Sequence, residues 1–437
     1  MNHAFSFAAF NALSFQIVLG SPMVLYAKSL DASATVLGII AGMMPLLVIF
    51  QIPAANYVDR IGYKKFVYAG WGIRVAFIFV IALVPITAGF LNATTRLALI
   101  LLLLFAFNLS RGISSCAWLP WMTTLVPAEV RGKYLAREAG FVNLASFTTV
   151  MLAALCLGKQ PAASQFAITF VFSALMGAVS LSFLKRIPDA PVQEHISVSK
   201  TPVPYREMTR FAPFRKLLWE VAAWAVAYGG MTTFTVAFLK AESAMAEGTI
   251  LMVSAFAFLG GFGSLWFLGP RIDRLGSKPV LVFSFGAWLV ILAGWAAVAG
   301  GWLPLRMSLI LMLQFCMGLA AALVNMANTR LAMAIIPPMG RNHFFAIYSV
   351  VLNVTLGLAP IFWGLLIDAV GAGEWHSGAF RWNRFSIFFA AVWLAFVVSL
   401  LLSRRLEEPA AASTEALLKE LLIQSPQRVL IKLWPRV

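Results

Sequence analysis

The chain has 437 residues, of which 61% are hydrophobic and 11% charged, and it carries a formal net charge of +16. A soluble domain carries about 25% charged residues, so this composition leaves too few polar groups to cover a water-exposed surface and excludes a set of soluble domains. The basic excess raises nucleic acid as a partner, but its placement, described below, is that of a membrane protein, and no nucleic-acid partner is expected.

From the N-terminus onward, short charged segments alternate with apolar stretches long enough to cross about 30 Å of hydrocarbon. In lipid every backbone group must be satisfied within the segment or in a closed barrel. Alternating ten-residue barrel strands are missing, so the stretches are read as helices. Twelve spans are expected, at about 5–27, 34–57, 66–90, 97–123, 138–158, 164–184, 216–239, 247–269, 279–300, 305–335, 344–367 and 383–403. No Lys or Arg precedes the first apolar run, so a cleaved signal peptide is not expected. Cys116, Cys156 and Cys316 lie inside apolar stretches and suggest neither a disulfide framework nor a metal site.

Lys and Arg set the expected orientation. With the N-terminus in the cytoplasm, 23 of them fall in inner segments and 7 in outer ones. Arg74, Arg111 and Arg330 lie within spans. The Pro-rich segment 185–215 divides the chain into a bundle over 1–184 and a bundle over 216–403. The tail 404–437 contains two short amphipathic pieces, Thr414–Ile423 and Arg428–Trp434. They suit an interfacial helix on an anionic leaflet or a loosely ordered tail.

The two halves repeat one another. The loop after span two reads Asp59-Arg60-Ile61-Gly62-Tyr63-Lys64-Lys65, and the loop after span eight reads Asp273-Arg274-Leu275-Gly276-Ser277-Lys278, 214 residues later. Pro127 and Arg131 after span four match Pro337 and Arg341 after span ten at an offset of 210, and Asn143 falls on Asn353 at the same offset. Two parallel halves of this kind are an architecture of secondary transporters, with the solute site between them near the midplane.

These loops resemble the signature of the major facilitator superfamily, Gly-x-x-x-Asp-Arg-x-Gly-Arg-Arg/Lys. Gly269 supplies the leading glycine of the second copy, whereas Ala55 departs from it in the first. The Pro127-x-x-x-Arg131-Gly132 exit, the duplication and the helix count also resemble that family, so the likeness covers nearly the whole chain. It implies an all-α membrane fold of two pseudo-symmetric six-helix bundles. It also implies a cytoplasmic latch built from Asp59, Arg60, Gly62, Lys64, Asp273, Arg274, Gly276, Lys278 and Arg131. Physically, Asp59 can accept from amides at a neighbouring helix N-terminus, Arg60 and Lys64 can pair with carboxylates or lipid phosphates, and Gly62 permits a turn with positive φ. The alternative is a plain basic turn. Proton-coupled drug exporters of the family carry Arg in span four where this chain has Asn108, and a Gly-x-x-x-Gly-Pro stretch in span five that this chain lacks, which argues against a drug/proton antiporter.

Ionisable groups inside a membrane are costly and mark function. Arg111 stands about 14 residues into span four, near the midplane, with Asn108, Ser115 and Trp118 on its face. It either binds an anionic or polyhydroxyl solute or pairs internally with a carboxylate. Arg74 is expected to snorkel to the surface or to pair with Glu138. Glu138 and Glu220 are the candidate coupling carboxylates, an interface role being the better fit for Glu220. Asn143, Tyr228, Asn325, Asn328 and Asn353 complete the candidate solute-binding set. Each of these alone is more often an interhelical hydrogen bond, worth roughly 0.6 kcal/mol. Trp118, Trp121 and Trp224 are candidate stacking faces.

Phosphate-binding loops and metal-spaced histidines are missing, so no enzyme chemistry and no cofactor are expected. The expected function is secondary active or facilitative transport of a small water-soluble organic solute by alternating access. Expected partners are that solute, a proton or sodium ion as co-transported species, and membrane lipids, with the chain acting as a monomer. A different class, a non-transporting membrane sensor or assembly factor on the same fold, stays open. Lipid movement between leaflets is the weaker alternative, because the polar stripe favours a water-soluble solute.

Overall fold

The computed structural model describes residues 2–126, 128–190, 208, 210–243, 245–267, 276–335 and 341–408. Among them are twelve helices long and apolar enough to cross a membrane. The first six are α1 (Asn2–Ser29), α2 (Ala34–Leu46, a 3₁₀ turn over Leu47–Phe50, then Gln51–Ile61), α3 (Tyr63–Leu83), α4 (Ala93–Ser115, then Trp118–Leu125), α5 (Ala128–Leu157) and α6 (Ala163–Arg186). The second six are α7 (Ala212–Tyr228, then Met231–Ala241), α8 (Glu247–Phe267), α9 (Ser277–Ala299), α10 (Met307–Ile335), α11 (Arg341–Val370) and α12 (Arg384–Arg404). A small antiparallel hairpin, β1 (Trp375–Ser377) with β2 (Phe380–Trp382), joins α11 to α12.

Several spans are interrupted for local reasons. In α1 the chain breaks at Gly20, before Pro22 in the first turn of the next segment. In α4 the break falls at Cys116 and Ala117, because Pro120 has no amide hydrogen to donate to the carbonyl of Cys116. The expected single span 97–123 is therefore two helices. In α7 the break falls at Gly229 and Gly230, and Gly230 adopts a left-handed φ of 84°.

The halves pack alike: α3 on α6 and α9 on α12, α1 on α5 and α7 on α11. The repeated loops share a conformation. Gly62 has φ 86° and ψ 148°, and Gly276 has φ 87° and ψ 167°, values that essentially only glycine adopts. The positive φ expected at Gly62 is present in both copies. Asp273 and Arg274 lie outside the described residues, as do Pro127, Pro337, the tail from 409 and the side chains of Asp59 and Arg131. Arg60 is exposed, and Lys64 and Lys278 begin α3 and α9.

An even number of crossings places both described ends, residues 2 and 408, on one face, here called the basic face after its loops. On the opposite face the halves are joined. The carboxylate of Asp368, at the end of α11, accepts from the amides of Ala34 (3.0 Å) and Thr35 (2.7 Å) and from the Thr35 hydroxyl (2.6 Å) at the start of α2. Gly248 N–H donates to the Gly158 carbonyl at 2.7 Å, tying α8 to the end of α5. Between these ends, α2 and α11 approach closely: a Cβ at Gly38 would lie 2.2 Å from the Pro360 oxygen, and one at Gly42 2.3 Å from the Gly357 oxygen. Small residues permit such contact where lipid offers no hydrophobic drive between helices.

Towards the basic face this continuity ends. The buried apolar core that joins both halves on the opposite side gives way to a separate cluster, including Phe7, Val67, Trp71, Trp121 and Leu184, built from the first half alone. The last segments of α2 and α4 pack against first-half helices. Among the described residues, the contacts between the halves gather towards the opposite face.

Ion pairs sharpen the charge asymmetry. On the opposite face Lys240, Arg381 and Arg384 pair with Glu247, Glu374 and Glu242. On the basic face Glu408, beyond α12, accepts from the amides of Ser277 (2.8 Å) and Lys278 (2.7 Å) at the start of α9 and sits 3.7 Å from Arg330 of α10. A carboxylate at a helix N-terminus is favoured by the unsatisfied amides and the helix dipole.

Candidate functional site

The interrupted helices surround two cavities near mid-depth. One, of about 240 Å³, lies between the halves. Leu19 and Val24 of α1, Ile40, Met44 and Pro45 of α2, Tyr228 to Thr233 at the α7 break, and Leu356 and Pro360 of α11 line it. Tyr228 stacks on Trp224 at 5.3 Å and meets Trp288 edge-on at 5.9 Å. The α7 break brings backbone groups to this wall, an arrangement tolerated in a membrane where irregular backbone faces a cavity.

The second cavity, of about 260 Å³, has charged side chains in its wall and is lined by first-half residues. Its walls are Phe7, Ala8, Asn11 and Phe15 of α1, Trp71 and Arg74 of α3, Arg111, Ser115 and Trp118 of α4, and Glu138 and Val142 of α5. Arg74 is 4% exposed. Its guanidinium carbon sits 4.4 Å above the Trp71 ring and 5.3 Å from Phe107, and among the described residues its Nε has no hydrogen-bond partner. Trp71 Nε1 donates to Asn11 Oδ1 at 3.2 Å. Trp71 and Trp118 lie 6.1 Å apart, tilted by 36°. Among the described residues neither Arg74 nor Arg111 forms an ion pair within 4 Å. Arg74 thus neither snorkels nor pairs with Glu138 as its position in α3 suggests. The Trp71 face, one turn earlier, takes the guanidinium instead, and that i, i+3 pair is a sequence signal for it.

The structure brings together Arg111, Ser115, Trp118 and Glu138, and adds Arg74, Asn11 and Trp71. Asn108 does not join them. It is 1% exposed, its amide donates to the Leu104 carbonyl at 2.9 Å, and among the described residues its Oδ1 has no partner. Ser115 accepts from Gln51 of α2 at 2.7 Å. Asn353 is half-buried, holds Ser349, and lines a lateral cleft of about 270 Å³ with Gln51 and Cys116 between α2 and α11. Asn143 donates to the Ala139 carbonyl and abuts Gly261 of α8 across the two halves. Asn325 is exposed. Asn328 is 2% exposed and lies beside Glu220. Glu220 is fully buried, with Tyr348 as a further neighbour, and lines none of these cavities. Trp121 is buried and donates to the Pro188 carbonyl, so it is not a cavity wall.

The family model described as Major Facilitator Superfamily matches residues 4–246 and 241–435. The chain belongs to this superfamily. No curated protein sequence matches it. Solved structures share the fold of this superfamily member at low identity. A mutant form of the nucleoside transporter NupG has a TM-score of 0.71 at 12% identity, covering 93% of this chain and 98% of its own. The inward-open xylose transporter XylE from E. coli has 0.67 at 13%, covering 95% and 98%. A bacterial homolog of the human lysosomal transporter Spinster, inward-facing and unoccupied, has 0.65 at 13%, covering 92% and 95%. The chain is thus an integral membrane protein with a transporter fold.

Proposed function

We propose that the protein is a secondary transporter of a small water-soluble organic solute, working by alternating access. The observation that carries this reading is the asymmetry of closure. The halves are bonded through Asp368, Thr35 and Gly248 on one face, among the described residues no such bond joins them on the other, and cavities lie at mid-depth. Exchanging which face is closed carries a solute across without opening a continuous pore. With both termini in the cytoplasm, as the loop charges suggest, the bonded face is the outer one, and this reading assigns the arrangement to an inward-facing state. Among the two candidate coupling carboxylates we assign a proton or sodium ion to Glu138, which lines the cavity within the first half, ahead of Glu220, which lines neither of the two cavities described above.

The test is uptake into proteoliposomes from a panel of neutral sugars, nucleosides, amino acids and organic acids. The reading expects saturable flux of at least one class, missing from protein-free vesicles. Flux of none, from protein shown to be folded, would overturn it in favour of the sensor or assembly role.

A further inference from the structure

We propose that the cavity within the first half is the recognition site for a small organic monoanion, a carboxylate gripped by Arg74 and Arg111. The proposal rests on the transport reading for its purpose, but its geometry stands on the site itself.

A guanidinium buried at membrane depth normally pairs with a carboxylate or a backbone carbonyl. Removing one partner of a buried pair is costly because the remaining charge is left uncompensated. Here two guanidinium groups line one cavity, and among the described residues neither has a carboxylate within 4 Å. The ring contacts of Arg74 hold its plane but supply no acceptor for its N–H groups. Asn11 spends its oxygen on Trp71, which leaves its NH₂ as a further donor at the wall. The polar groups of the wall are thus weighted towards donors, and the complement of a donor set is an acceptor-only group. A carboxylate meets a guanidinium fork with two parallel hydrogen bonds.

Charge and size narrow the class. Among the described lining residues the one carboxylate is Glu138, so with Glu138 ionised two cations against one anion leave a single positive charge in excess. That balance accepts a monoanion and disfavours a dianion. The volume of about 260 Å³ lies below the roughly 300–1,000 Å³ of drug-sized ligand sites, so the carboxylate belongs to a small molecule. The half-buried Trp118 ring in the wall suits a flat or short apolar remainder beside it.

The test is a binding measurement that needs no flux. Intrinsic tryptophan fluorescence of the purified protein in lipid nanodiscs is titrated with benzoate and lactate, with their neutral amides, with succinate, with inorganic phosphate and with glucose. Saturable binding of a monocarboxylate, at least about tenfold tighter than its amide, supports the site. Equal binding of acid and amide overturns it without any variant, and so does tighter binding of succinate or phosphate. In folded variants, Arg74→Gln and Arg111→Gln should each weaken carboxylate binding about tenfold or more, with Arg→Lys restoring part of the loss. Unchanged affinity in both Gln variants overturns the assignment. Carboxylate binding without flux would leave this site standing and remove the transport reading. Flux of a neutral solute that carboxylates neither bind against nor inhibit would do the reverse.

Discussion

Replacing Asp368 with Ala should open the protein on its opposite face. Asp368 joins α11 of one half to α2 of the other through three hydrogen bonds, of 3.0, 2.7 and 2.6 Å. Bonds to a charged group are worth about 1.5–3 kcal/mol each. Thr35 is half-exposed at this edge, and competition from water reduces each to roughly 1 kcal/mol. Their sum, about 3 kcal/mol, corresponds to somewhat over a hundredfold in the equilibrium between closed and open opposite faces. Folding should be spared, because α2 keeps its own cap, Ser33 Oγ accepting from Val36 N–H. The readout is a single cysteine at Met44, in the wall of the central cavity, with Cys116, Cys156 and Cys316 replaced by Ser. A membrane-impermeant thiol reagent applied at the opposite face should react about a hundredfold faster in Asp368→Ala than in the parent. Asp368→Asn, which keeps one acceptor oxygen, should fall near tenfold, and Thr35→Val, which loses one bond of roughly 1 kcal/mol, near fivefold. Rates within threefold of the parent across all three variants would refute the account of the closure.

Other consequences follow from the same geometry. Gly38→Val should place side-chain atoms against the Pro360 carbonyl and prevent α2 and α11 from closing, abolishing transport while the protein still folds; normal flux would argue against the contact. Gly62→Ala and Gly276→Ala should each cost about 1–3 kcal/mol, because their backbone angles are strained for any residue with a Cβ. Thermal melting in detergent checks this, and unchanged melting of both variants would contradict it. Glu408→Ala should lower the melting temperature, since Glu408 caps α9 and approaches Arg330 while almost buried. Glu407→Ala should leave the melting temperature nearly unchanged. The hydrogen bond and charge of Lys216 hold the Glu407 carboxyl below its ordinary range, but that pair faces solvent and contributes little. Any contribution it makes is present above the ordinary carboxylate range and lost as the pH falls through the lowered value.

The crossings were legible in the sequence because lipid leaves the backbone few options. The glycine turns were legible because a repeated Asp-Arg-x-Gly needs positive φ at its glycine. The helix ends were less so: α1 reaches Ser29 rather than about 27, and the α4 stretch divides at Cys116. The stripe through Arg111 was half legible. Ser115 and Trp118 reach its cavity, whereas Asn108, a turn earlier, rotates into the packing against its own helix. The cap from Asp368 to Ala34 links residues 334 apart, and that from Glu408 to Ser277 links residues 131 apart. No local spacing encodes such contacts. Nor did the basic residues assigned to outer loops reveal that three of them are neutralised by Glu242, Glu247 and Glu374.

The central claim is that the two faces open in alternation, and paired distances test it most directly. Spin labels at Asp31 and Glu374 report the opposite face, and labels at Arg60 and Arg404 report the basic face. Pulsed spin-resonance distances in lipid nanodiscs should show the opposite-face pair lengthening and the basic-face pair shortening together in Asp368→Ala relative to the parent. Distances that stay fixed on both faces, or lengthen on both, would contradict alternating access.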